Sequence, residues 1–177
     1  HQLAGTAAPG KTEPAAAAMS LYRAHRGDRP VTGMIYTHCH PDHFGGVRGV
    51  LDQADVDSGA VPVIAPAGFT EHAVSENVFA GPAMARRAAY MYGAVLDRGP
   101  FGQVGMGLGQ TNSVGTLTLI PPTVDITETG QELTVDGVRM IFQLAPNSEA
   151  PAEFQVLLPA FRALCLAETA THVTHNI

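Results

Sequence analysis

Three of the chain's eight histidines, His38, His40 and His43, fall within six residues of one another, in the run Thr37-His38-Cys39-His40-Pro41-Asp42-His43-Phe44-Gly45-Gly46. The pattern is H-x-H-x-D-H. In extended backbone, residues two apart project to the same side, so His38 and His40 can offer imidazoles to one metal ion. Asp42 and His43, past the turn set by Pro41, can face a second. Four donors this close suit a pair of ions about 3.5 to 4 Å apart. Imidazole and carboxylate ligands favour zinc, with iron and manganese also admissible by ligand type. Gly45 and Gly46 let the chain turn sharply and start a helix behind the metals without a side-chain clash. A bare H-x-H is more often a solvated surface loop. The full pattern, with a strand before it and Gly-Gly after it, sets that reading aside. Cys39 alternates away from the two histidines and reads as a small buried filler.

The elements that must position these donors follow from the surrounding pattern. Residues 31–37 are short, apolar and bounded by Pro30, which reads as a buried strand delivering the histidines at its C-terminal end. Upstream, residues 1–18 read as an irregular segment rich in Ala, Gly, Pro and Thr, and residues 19–26 as a short helix stopped by Gly27 and Pro30. Residues 19–177 are then read as one domain. After Gly45-Gly46 a short helix through Val50 and Leu51 leads to a strand at 61–65, where Pro62 suits an edge or a strand start. Residues 68–96 carry a helical pattern, with Met84, Ala88, Met91, Tyr92 and Val95 on one face and Pro82 in the first turn of the longer helix. Residues 97–115 hold six glycines and one proline without a period, a long loop that could cover a site. Strands are expected at 116–120, 131–135, 138–144, 153–158 and 161–167, with a hairpin turn at Asp136-Gly137.

Composition narrows the function classes. A chain of 177 residues, 45% hydrophobic and 15% charged, is long enough for one domain with a core. The net charge of −6 and a pI near 5.7, with no cluster of Lys and Arg, argue against a nucleic-acid partner. No run of about 18 apolar residues is present, so no membrane-spanning helix is expected, and the opening residues carry no signal-peptide pattern. Two cysteines are too few for a disulfide framework and leave the compartment open.

Several blocks, in order, resemble the alkyl sulfatases of the metallo-β-lactamase superfamily, the group that includes the dodecyl-sulfate-hydrolysing enzymes. They are YRAHRGDRP at 22–30, IYTHCHPDHFGGV at 35–47, Glu76-Asn77-Val78, GPAMARRAAYMYG at 81–93, LIPPT at 119–123, SEAPAE at 148–153 and LCLAETATHVTHN at 164–176. The resemblance implies an α/β protein with an αββα sandwich, here an internal fragment incomplete at both ends. It implies two zinc ions: His38 and His40 with Glu149 on the first, Asp42 and His43 on the second, and Glu168 bridging both. Glu149 and Glu168 both sit in or beside turns at strand ends, where a functional group can leave the core. Glu153, four residues beyond Glu149, reads as a structural hydrogen-bonding group, with contact to the metals as the alternative.

Three features depart from the family pattern. Thr169 stands where the family usually has Asn, and Cys39 and Pro41 replace commoner residues. The family supplies a further His to the second zinc from well downstream, and that ligand is expected to lie outside this chain. His172 and His175 are candidates for that role, although a surface role is the simpler reading, and His25 and His72 are most simply solvated.

The implied reaction is zinc-dependent hydrolysis of an alkyl sulfate ester to alcohol and inorganic sulfate by a metal-activated water, with Asp42 and Glu168 catalytic. Two divalent ions (+4) against Asp42, Glu149 and Glu168 (−3) leave a site of +1, able to attract an anionic ester into an acidic protein. Arg86 and Arg87 are candidates to hold the sulfate, and a solvated helix face explains them equally well. Met84, Tyr90, Met91 and Tyr92, with Phe101, Val104, Met106 and Leu108, could line a groove for the alkyl tail. Core packing is the simpler role for the helical set. Gly105, Gly107 and Gly109 lack the spacing of a dinucleotide-binding loop. The rival functions are another hydrolase of the same fold, acting on a thioester or lactam, and a catalytically silent metal-binding domain. The resemblance further implies a homodimer in the full-length parent and a family that is often periplasmic or secreted.

Overall fold

In the computed structural model, which describes residues 3–4, 11–106 and 113–170, the apolar strand before the histidines lies inside a parallel sheet. The sheet order is β1 (Leu3–Ala4), β2 (Gly33–Ile35), β3 (Val63–Pro66) and β4 (Val124–Ile126). All three pairings are parallel. Both faces of the central strands are covered, so these strands read as continuous apolar runs rather than as an in-out alternation. Met34, Tyr36, Val63 and Ala65 pack toward the helices, against Phe44, Val47, Leu51, Val56 and Phe69. Ile35, Ile64 and Ile126 point the other way, into a second core.

That second core is closed by an antiparallel sheet of β5 (Glu132–Val135), β6 (Val138–Leu144), β7 (Phe154–Leu158) and β8 (Ala163–Cys165). Val138, Met140, Phe142, Phe154 and Val156 meet the isoleucines of the first sheet. The hairpin β5–β6 turns at Asp136 and Gly137, with φ of 50° and 75°, the pair of positive values that a two-residue turn matched to strand twist requires. The layers are thus helices, parallel sheet and antiparallel sheet. On the outer face of the second sheet Leu157 and Leu164 are exposed.

The helices are α1 (Thr12–Arg26), α2 (Pro41–Phe44), α3 (Gln53–Asp57), α4 (Phe69–Val74) and α5 (Gly81–Tyr92). α1 starts at Thr12, not at residue 19, because the Ala-rich stretch read as irregular has the highest helix propensity available. Gly49 lets α1 approach: a side chain there would run into the backbone of Thr12 and Ala16. α2 begins before the paired glycines, with Pro41 in its first turn, and Gly45-Gly46 instead lead into a 3₁₀ turn at Val47–Gly49. Pro62 immediately precedes β3, which is interior to its sheet, so it marks a strand start and not an edge.

One expectation fails at 116–126. Residues 116–120 are not a strand: Thr12 N–H donates to the Thr116 carbonyl at 2.9 Å and Thr118 N–H to that of Gly45 at 2.8 Å, tying the segment to α1 and the histidine loop. Pro121 and Pro122 bring no N–H to a ladder. The strand that pairs with β3 comes just after them, at Val124–Ile126. The long helical pattern of 68–96 is also broken, by a π-helical turn at Ser75–Phe79 between α4 and α5. α5 has no fully buried residue, so core packing is not the role of Met84, Tyr90 or Met91. The described parts of the 97–115 loop hold no helix or strand element.

Candidate metal centre

The histidines sit where the two sheets are joined. Beyond β2 the chain leaves its parallel partners and bridges to the second sheet: Phe154 N–H donates to the Thr37 carbonyl at 3.0 Å, and His38 pairs with Glu153 as an antiparallel bridge. His38 is therefore fixed by backbone on both sides of the sandwich and is fully buried. Its Nδ1 lies 3.0 Å from Thr37 Oγ1, which leaves Nε2 to face the cleft.

Glu149 reaches the same cleft from the loop between β6 and β7. That loop is folded around Glu153, whose Oε2 accepts from Ser148 Oγ at 3.0 Å, Glu149 N–H at 3.1 Å and Ala150 N–H at 3.0 Å. Asn147, with φ of 57°, makes the turn in the left-handed region that Asn tolerates better than most residues. Glu153 is thus the loop's organiser, the structural role its position after Glu149 suggested. Glu168 follows β8 in a tight turn where Ala167 takes φ of 51°, an uncommon conformation for Ala that the surrounding contacts must hold. Thr169 supplies those contacts: its Oγ1 donates to the Leu166 carbonyl at 2.6 Å and accepts from Gln155 Nε2 at 2.9 Å.

These turns bring four side chains to one point. Ligand atoms of His38, His40, Glu149 and Glu168 all lie within 4.8 Å of one another. His38 Nε2 is 3.5 Å from Glu149 Oε2 and 3.4 Å from Glu168 Oε2, and His40 Nδ1 is 3.0 Å from Glu149 Oε2. His43 adjoins them, its Nε2 3.1 Å from Glu168 Oε2 and 3.3 Å from Asp42 Oδ2, its ring 4.1 Å from that of His38. Asp42 is the outermost of the six, with its side chain 63% exposed. Arg86 and Arg87 lie on the exposed surface of α5, and Cys39 is buried with its thiol toward Glu76. His172, His175 and Leu108 lie outside the described residues.

The electrostatics are those of a site short of positive charge. Burial is the largest influence on Glu149 and raises its carboxyl; the imidazoles of His40 and His38 pull it back, and Glu168 and Glu153 push it up again, for a net rise. Burial works against a charge on His43, but hydrogen bonds and attraction to Asp42 and Glu168 outweigh it and lift that imidazole to about 10. Burial likewise opposes the charge on Asp42, and the bond to His43 overcomes it, holding the carboxyl low. Burial raises the Cys39 thiol to about 11, with Glu76 adding to the effect, so it stays protonated.

A divalent cation fits this donor set. His38 Nε2 and Glu149 Oε2 are both buried without a hydrogen-bond partner, although burying such atoms unpaired costs about 1–3 kcal/mol each. Two imidazole nitrogens and two carboxylates pointing their lone pairs at one volume are what a zinc-like ion uses. Sequence reasoning assigned no role to Thr37 or to Glu76, whose Oε2 lies 3.6 Å from His40 Nε2. The only sequence signal for either was its place inside a block that resembles the family.

Comparison with known proteins places this geometry. The model of the metallo-beta-lactamase superfamily matches residues 5–139. A linear primary-alkylsulfatase of Pseudomonas sp. is 56% identical over 164 residues, 93% of this chain and 24% of that protein. An alkyl/aryl-sulfatase of Saccharomyces cerevisiae is 49% identical over 166 residues, 94% of this chain and 26% of the relative. The solved structure of a stereoselective inverting sec-alkylsulfatase from Pseudomonas sp. superposes with a TM-score of 0.81 at 47% identity, covering 88% of this chain and 25% of that one. The chain spans about a quarter of the length of these relatives. Its fold, its sequence and its histidine cleft agree: the chain belongs to the metallo-beta-lactamase superfamily.

Proposed function

We propose that this chain carries the metal centre of an alkyl sulfatase, a hydrolase that converts an alkyl sulfate ester and water into the alcohol and inorganic sulfate. The observation that carries the proposal is the convergence of His38, His40, Glu149 and Glu168 on one volume, with buried unpaired lone pairs on His38 and Glu149. Similarity to three curated alkyl sulfatases at 48 to 56% identity supports the substrate class.

In this reading His38 Nε2, His40 Nδ1 and Glu149 hold one zinc ion, Asp42 and His43 contribute to a second, and Glu168 spans the two groups. The spanning role is supported by its Oε2, which lies 3.4 Å from His38 Nε2 and 3.1 Å from His43 Nε2. When bound there, such a cation pair would supply a water with its pKa lowered toward about 7 and positive charge for the sulfate oxygens of the ester. Thr37 fixes the His38 ring by accepting from Nδ1–H, so that Nε2 keeps its lone pair for the cleft. Asp42, on the solvent side, would orient the attacking water and accept its proton. The water oxygen bonds either to sulfur as the S–O bond breaks, the proton held by Asp42 then passing to the departing alkoxide, or to carbon as the C–O bond breaks, sulfate then departing and the proton returning to solvent. Glu168 holds its carboxylate against both imidazoles throughout. The proposal includes a homodimer and no nucleic-acid partner, the latter supported by the net charge of −6. No described helix is long and apolar enough to cross a membrane.

Sulfate release from a medium-chain alkyl sulfate, assayed beside thioester and lactam hydrolysis on samples of measured metal content, tests the proposal. The expected result is sulfate release that tracks zinc. Thioester or lactam turnover without sulfate release would assign the site to another hydrolase of the fold, and bound metal with no turnover of any of the three would make it a silent binding domain.

A further inference from the structure

His40 presents its two ring nitrogens to two different carboxylates. Nδ1 is 3.0 Å from Glu149 Oε2, on the cleft side, while Nε2 is 3.6 Å from Glu76 Oε2. Among the described residues Glu76 is the carboxylate that faces Nε2. It is brought there by the π-helical turn Ser75–Phe79, and such turns recur at functional sites because the extra residue re-aims the side chains around it. The turn is pinned to the end of α4, Asn77 Nδ2 donating to the Ala73 carbonyl at 2.8 Å. The Glu76 carboxylate is in turn held by the neighbour of its target, the Cys39 thiol donating to Oε2 at 3.8 Å.

We infer that Glu76 is a positioning residue for His40: its carboxylate accepts the Nε2 proton and so keeps Nδ1 deprotonated and aimed at the cation site. The inference rests on the metal-centre reading. When Nδ1 gives its lone pair to a cation, the one remaining ring proton must sit on Nε2, and a carboxylate is its strongest acceptor. The 3.6 Å separation is too long for a hydrogen bond, so the contact should shorten by some tenths of an ångström when the site is loaded. Glu76 is therefore to His40 what Thr37 is to His38, with a full charge in place of a hydroxyl. The π turn then has a purpose, because it carries this carboxylate from the helical layer to the end of β2.

Cobalt(II) titration of the metal-free chain, followed by its visible absorption, is the test, with Glu76→Ala and Glu76→Gln beside the wild type and a thermal melt of each metal-free protein. Glu76→Ala should bind cobalt about 10- to 100-fold more weakly and alter the ligand-field bands. Glu76→Gln, which keeps an acceptor oxygen of the same reach, should recover part of that loss. All three should melt alike without metal, since Glu76 is partly exposed. Equal cobalt affinity in wild type and Glu76→Ala, or no recovery in Glu76→Gln, would overturn the role of Glu76 while leaving the metal centre standing. A wild-type chain that takes up no cobalt would overturn both.

Discussion

The cleft and α5 are built on opposite terms. Around the cleft each functional side chain is held by named bonds: His38 by Thr37, Glu149 by the loop folded on Glu153, Glu168 by the turn that Thr169 closes. α5 has no fully buried residue and carries Tyr90 at 87% exposure, with Met84 and Met91 also exposed. Charged donors that must meet within a few ångströms repel one another, so their positions have to be enforced by the fold. A surface for an apolar tail needs only area, because the hydrophobic effect is not directional. The contrast separates the part of the chain that sets the chemistry from the part that would set which substrate is accepted.

The largest effect should come from the cleft itself. In the full-length protein His38→Ala and Glu149→Ala each delete a donor aimed at the cation site, and each should abolish sulfate release and lower bound zinc, measured by elemental analysis beside the assay. Retention of metal and near-normal turnover in either variant would remove the first cation site from the proposal. Chelation should copy the loss, and added zinc should reverse it in the wild type only.

An intermediate effect should follow from the support of the cleft. Glu153→Ala removes one acceptor shared by Ser148 Oγ and the N–H groups of Glu149 and Ala150, in a position only 1% exposed. Each donor left buried and unpaired costs about 1–3 kcal/mol, so the variant should lose stability in the metal-free melt and zinc affinity together. Glu153→Gln keeps one acceptor oxygen and should fall between. A Glu153→Ala protein that melts like the wild type would mean that the loop holds Glu149 without this carboxylate.

How much of this was readable from residues follows the same division. The histidine run was legible because its chemistry is local: period two on a strand, a proline, an aspartate and two glycines leave few other uses. Glu149 and Glu168 became legible only through family resemblance, since a glutamate in a turn is ordinary until a distant strand end is known to lie beside it. The strand at Val124–Ile126 was missed because three residues carry no period, while 116–120 alternates like a strand but gives its hydrogen bonds to α1 and Gly45. Glu76 escaped because a π turn has no sequence signature and decides where its carboxylate points. For α5 the spacing of Met84, Ala88 and Met91 marked a face truthfully, and said nothing of what covers it.

The smallest effect should therefore come from α5. Replacing Met84 and Met91 together by Ser removes apolar surface that the described residues leave exposed, and surface changes of this kind usually move stability by no more than about 0.5 kcal/mol each. Zinc content should not change, since neither side chain belongs to the donor set. If this face receives the alkyl tail, each methylene that leaves water is worth about 0.8 kcal/mol, so lost contact should grow with chain length. The expected signature is a rise in KM for long-chain alkyl sulfates, little change for short ones, and an unaltered melting curve. A large drop in melting temperature would show instead that α5 is held as firmly as the cleft, and the division between enforced donors and permissive surface would have to be withdrawn. An equal KM change at every chain length would place the alkyl tail elsewhere, and the loop bearing Phe101 and Val104, both almost fully exposed, would be the next surface to alter.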